Sequence, residues 1–246
     1  MPEDPQTTPL PPSTLTNAPP TTPATNKPSD FPLPKLRLEI RDLTHDGTSR
    51  VLTALDISDC IATGVHNVLR LLYTSPSHPS TTAPGTRSVT FIFRSMGGVA
   101  HTIGSDLDSD HKEVHFSLDY IRDISNDRVA HEITGVVTHE LVHCFQYNGH
   151  GTCPGGLIEG IADWVRLNCD LAPPHWKKET SEKWDGGYQH TAYFLQYIEG
   201  LFGDGSVQRI NEKLRLEKYE NDSFWTGLFG VSVEELWEAY SSTLEQ

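Results

Sequence analysis

Thr138-His139-Glu140-Leu141-Val142-His143 sets two histidines four residues apart among neighbours that carry no charge: Val136, Val137, Leu141, Val142, Cys144 and Phe145. Such a run predicts a helix buried on most of its surface. Four residues advance a helix by about one turn and about 40° of rotation, so His139 and His143 can aim their imidazoles at one ion. Glu140, about 100° round from His139, is poorly placed as a ligand but can reach a water on that ion and act as its general base. A chain holding H-E-x-x-H in this setting has to build its fold around that helix.

A catalytic zinc site takes a third protein ligand and keeps one position open. Two residues offer themselves. His150 lies beyond Asn148-Gly149, and Glu159 opens Glu159-Gly160-Ile161-Ala162-Asp163-Trp164. The stretch Gly149-His150-Gly151-Thr152-Cys153-Pro154-Gly155-Gly156 reads as a turn-rich break between two helices, letting the second return to the histidine pair. Glu159 is the preferred third ligand and His150 the alternative. Asp163, one turn after Glu159 on the same face, is placed to accept a ligand imidazole's N–H and fix its tautomer.

Organisation along the chain frames this centre. Met1 to Pro34 holds 11 of the 17 prolines, and residues 1–35 read as a disordered Pro/Thr-rich tail ahead of a single domain over residues 36–246. Leu36 to Arg41 alternates like a half-buried strand, Ser88 to Phe93 and Glu113 to Leu118 read as further strands, and Asp56 to Tyr73 has helical spacing. Helices are predicted at about Ala130–Tyr147, Leu157–Asn168, Ala192–Phe202, Val207–Leu214 and Val233–Leu244. Strands gathered early and helices late predict an α+β fold.

A formal charge of −14 argues against a surface that neutralises nucleic-acid phosphates, and no apolar stretch is long enough to span a bilayer. The N-terminus lacks the pattern of a secretory signal, which points to the cytoplasm. Cys60, Cys144, Cys153 and Cys169 form no metal pattern, though a Cys153–Cys169 bridge is compatible with their spacing. Asp106 to Asp110 lacks the glycine and closing glutamate of a calcium loop and reads as a solvated turn. The five tryptophans read as core or cleft-wall residues.

The run from Gly135 to Trp176, together with Val114–Ile121 and Gly187–Leu195, resembles the basic secretory protein family of plants, bacteria and fungi, grouped with the zincin metallopeptidases. The resemblance extends from about Leu36 to the C-terminus. It implies a zincin-like domain, a twisted N-terminal sheet followed by a helical half, acting on a peptide or protein. It also implies zinc on His139, His143 and Glu159, with Glu140 catalytic, and an extracellular setting that the acidic charge and the N-terminus do not share. By the same resemblance the strand Glu113–Leu118 is expected at the sheet edge above the cleft, where an extended peptide could pair with it. Tyr188, and after it His190, are the candidates to donate to the oxyanion. A monomer is the expected state. Two rival readings share the ligands: a catalytically silent zinc-containing binding module, and a zinc hydrolase of a non-peptide amide.

Overall fold

The alternating run at Leu36 and the apolar run at Ser88 become neighbouring parallel strands, β1 (Lys35–Ile40) and β2 (Ser88–Arg94). In the computed structural model, which describes residues 31–79, 81–180 and 183–245, four strands form one sheet in the order β1-β2-β4-β3. Parallel neighbours need a crossover. Here β1 reaches β2 through α1 (Asp46–Ala54) and α2 (Ile57–Leu72). β2 reaches its parallel neighbour β4 (Asp108–Ser117) by way of β3 (Ala100–Ser105), which pairs antiparallel on the outer side of β4.

This order corrects one expectation. The strand over Glu113–Leu118 is internal, and the edges are β1 and β3, with β3 the one beside Glu140. Ala-His-Thr-Ile-Gly-Ser is too short and polar to read as a strand, and it exists because β4 offers it a hairpin partner. Leu118 leaves the sheet altogether and opens α3 (Leu118–Asp123). Of the expected Asp106–Asp110 turn, only Asp106 and Leu107 form the hairpin tip, where Leu107 is fully exposed, while Asp108 to Asp110 open β4.

The helical half follows the apolar spacing except at α8, which the sequence reading does not predict. α4 (Val129–Phe145) is buried on nearly all sides, as its uncharged sequence requires. After it come α5 (Gly155–Leu167), α6 (Tyr188–Phe202), α7 (Ser206–Leu216), α8 (Asn221–Phe229) and α9 (Val233–Leu244). Ser232 and Glu235 close a reciprocal capping box at the start of α9, and Asp56 caps α2 by accepting from the Ser58 and Asp59 amides. Phe91, Phe93 and Phe116 fill the layer between sheet and helices, each contributing about 1.5–3 kcal/mol by burial. The fold is α+β, as expected.

Two packing details position the site. A Cβ on Gly160 would lie 2.2 Å from the Thr191 methyl, so glycine there lets α5 and α6 touch. Thr191 in turn donates to the Trp184 carbonyl at 2.7 Å and accepts from the Gly187 amide at 3.0 Å, bracing the segment that carries Tyr188. The turn between α4 and α5 is tied to α7, since the Gly149 amide donates to the Leu214 carbonyl.

Of the segment read as a tail, residues 1–30 lie outside the described residues. Phe31 is buried against Tyr73 and Lys35 opens β1, so the packed chain starts a few residues before the composition changes. All four cysteines are free thiols, and the Cys153–Cys169 bridge does not form. Among the described residues, no helix is long and apolar enough to cross a membrane.

Candidate metal centre

α4 presents both histidines and α5 brings Glu159 to meet them. His139 Nε2 stands 3.2 Å from His143 Nε2 and 3.1 Å from Glu159 Oε2, while His143 Nε2 lies 3.7 Å from that same oxygen. Among the described residues no other group of three His, Cys, Asp or Glu side chains converges in this way. Donors on a tetrahedral zinc at about 2.0–2.1 Å would stand about 3.3–3.4 Å apart, so two imidazoles and a carboxylate at these separations fit such an ion. His150, the alternative ligand, sits exposed in the 148–152 turn and takes no part in the cluster.

The surrounding groups hold the donors in place. His139 Nδ1–H donates to Asp163 Oδ1 at 2.7 Å, which turns Nε2 toward Glu159 and His143. Gln146 Nε2 is 2.6 Å from His143 Nδ1, while Gln146 Oε1 is buried without a partner. With the amide turned over, Oε1 would accept from Nδ1–H, the tautomer that frees His143 Nε2 for a metal. Thr102 of β3 donates to Glu140 Oε2 at 2.7 Å, so the edge strand fixes the carboxylate next to the histidines.

These residues line a cleft of about 1180 Å³. Tyr188 stands at its mouth with its ring stacked 6.2 Å from that of His139. Its φ of 47° is a conformation that a tyrosine adopts only under constraint, and it follows Gly187 at φ 84°. α6 begins at Tyr188 rather than near Ala192. His190 also lines the cleft, with its buried Nδ1 lacking a hydrogen-bond acceptor and Glu179 3.9 Å away.

A family model described as a peptidase of plants and bacteria, the basic secretory protein family, matches residues 33–240. The chain belongs to this family. No curated protein and no solved structure gave a match. In this member of the basic secretory protein family the match takes in the sheet, the three-residue cluster, Glu140 and Tyr188.

Electrostatics set how this family member's cluster responds to pH. Burial is the largest influence on His139 and pulls its pKa down, but hydrogen bonds to Asp163 and Glu159 outweigh it and raise the pKa to about 10. Burial also opposes ionisation of Glu159, yet hydrogen bonds from His139 and His143 drive its pKa far below the usual carboxylate range. The metal-free site thus holds a proton on His139, which a cation has to displace. The His139 contribution to metal-free stability is present below the ordinary value of 6.5 and is lost as pH rises toward about 10. The Glu159 contribution is present above 4.5 and is lost on acidification. Metal binding runs the other way, so the rise in Tm on adding a divalent metal is expected to grow between about pH 6 and about pH 8. Thermal unfolding with and without metal across that range checks this; a shift that shrinks would contradict it. Asp163→Asn, which keeps the shape but weakens the anchor on His139, is expected to lower metal affinity about 10–100-fold in a chelator competition.

Thr102, Gln146 and Arg166 were not singled out by sequence. Thr102 sits in the strand that the sequence did not reveal. Gln146 lies three residues after His143, a spacing that shares a helix face and could have drawn attention. Arg166 lies three after Asp163 on the same grounds.

Proposed function

We propose that the chain is a zinc-dependent metallopeptidase with a zincin-like arrangement, in which His139, His143 and Glu159 hold the ion. The observation that carries this is the convergence of those three donor atoms beside Glu140, at the wall of an open cleft. Zinc bound there would supply a Lewis acid for a carbonyl oxygen and a water activated at neutral pH.

The chain's own groups do the rest. Glu140 Oε2 is occupied by the Thr102 hydroxyl, which holds the carboxylate still and leaves Oε1 to take the proton from the attacking water. Glu140 then passes that proton to the leaving amine. Tyr188 supplies a hydroxyl donor for the developing oxyanion. The negative charge of Glu159, first among the causes, raises the Tyr188 pKa and keeps that hydroxyl protonated. β3, as the open edge next to Glu140, offers backbone groups to an extended peptide.

The test is digestion of a mixed peptide library by the purified full chain, counting new N-termini. New termini are expected with the zinc-loaded protein, to vanish on chelation and to return with zinc. Equal cleavage by the chelated protein would refute the reading.

A further inference from the structure

The cleft continues past the metal cluster to a second charged group that the mechanism does not use. Arg166 follows Asp163 by three residues on α5 and is 7% exposed. Its Nε donates to the Leu171 carbonyl at 3.0 Å and its Nη2 to Glu132 Oε1 at 3.1 Å. The guanidinium lies flat on α4 at Gly135, where a Cβ would come within 2.5 Å of it, and over the Trp176 ring at 5.4 Å. Any side chain at position 135 would push it out of the cleft wall.

Glu132 balances its charge only in part. Glu132 also accepts from Arg128 Nη2 at 3.2 Å and from the Tyr120 hydroxyl at 3.0 Å, so two guanidinium groups share one carboxylate. Arg128 does not line the cleft, but its claim on Glu132 leaves the Arg128, Arg166 and Glu132 trio with one net positive charge. Arg166 is the one Lys or Arg among the described residues that line the cleft. Its Nη1 has no acceptor among the described residues and is not sealed from solvent. A shielded guanidinium with a free N–H, backed by an aromatic face, is the arrangement that binds a carboxylate in its plane.

Gly135 precedes His139 by one turn of α4, which puts the guanidinium about 6 Å along the helix from the metal ligand. An extended peptide covers that distance in about two residues. We propose that Arg166, backed by Trp176, is a specificity subsite for a carboxylate of the peptide substrate, borne by an acidic side chain or by the free C-terminus about two residues from the cut bond. This rests on the peptidase reading and adds to it a substrate class, acidic peptides.

The experiment compares matched peptides on the zinc-loaded full chain, with Glu or Gln at each position flanking the cut and with a free or amidated C-terminus. The wild type is expected to favour Glu at one position, or the free acid, by at least about tenfold in kcat/KM, equivalent to about 1.4 kcal/mol. In Arg166→Met that ratio is expected to fall to near unity. The ratio is taken within each protein, so a loss common to both peptides cancels. If Arg166→Met does not fold, Arg166→Lys, which keeps the charge and loses the planar fork, is expected to reduce the ratio severalfold. A wild type that does not discriminate, or a variant that discriminates as the wild type does, would overturn the subsite. Calorimetry of the same peptides on zinc-loaded Glu140→Gln separates the two ideas. Tighter binding of the acidic peptide without any wild-type turnover keeps the subsite and sinks the peptidase reading; turnover without acidic preference does the reverse.

Discussion

Glu140→Gln is expected to keep its zinc and to lose peptide hydrolysis by about 10²–10⁴-fold, the usual contribution of a placed general base. Glutamine has nearly the same shape, and its carbonyl oxygen can still accept the hydrogen bond that Thr102 gives to Glu140 at 2.7 Å. It cannot take a proton from water. Because Glu140 lies outside the three-donor cluster, the metal content is expected to stay at one zinc per chain. Zinc by mass spectrometry and kcat/KM on a cleaved peptide, from the same preparation, check both halves. Undiminished turnover at full zinc content would remove Glu140 from the chemistry.

Removing Glu159 has the second large effect. In Glu159→Ala only the two imidazoles remain, and the carboxylate charge that balances the cation is gone. Zinc affinity is expected to fall by more than about 100-fold, beyond what loss of an outer hydrogen bond costs. His150→Ala, at the exposed turn, is expected to leave affinity within about twofold of wild type, the change typical of a surface site away from the ligands. Chelator competition on the two variants decides between them: loss in His150→Ala with retention in Glu159→Ala would reverse the ligand assignment.

The cluster could be read in the sequence because its chemistry demands fixed spacing. His139 and His143 share a face by helical period alone, and the glycine-rich break before α5 announces the return of Glu159 and Asp163. The α+β order was legible for a similar reason, since Ser88–Phe93 and the helices from Ala130 on carry strong apolar patterns. β3 was not, because His101-Thr102-Ile103-Gly104-Ser105 becomes a strand only through its partner β4, and it takes the edge position that the family resemblance implies for Glu113–Leu118. The early start of α6 escaped for a related reason. Tyr188 enters the helix at positive φ, under a constraint supplied by Thr191 and Gly187 and by no local propensity. Residues that act through tertiary neighbours, such as Thr102 on Glu140 and Arg166 against Gly135, have no periodic signature.

The most direct measurement is anomalous X-ray scattering at the zinc edge from crystals of the zinc-loaded full chain. The expected result is one strong peak at about 2.0–2.2 Å from His139 Nε2, His143 Nε2 and a Glu159 oxygen. A zinc-loaded crystal with no peak there, or with its peak on His150 or a cysteine, would contradict the metal centre and with it the proposed chemistry.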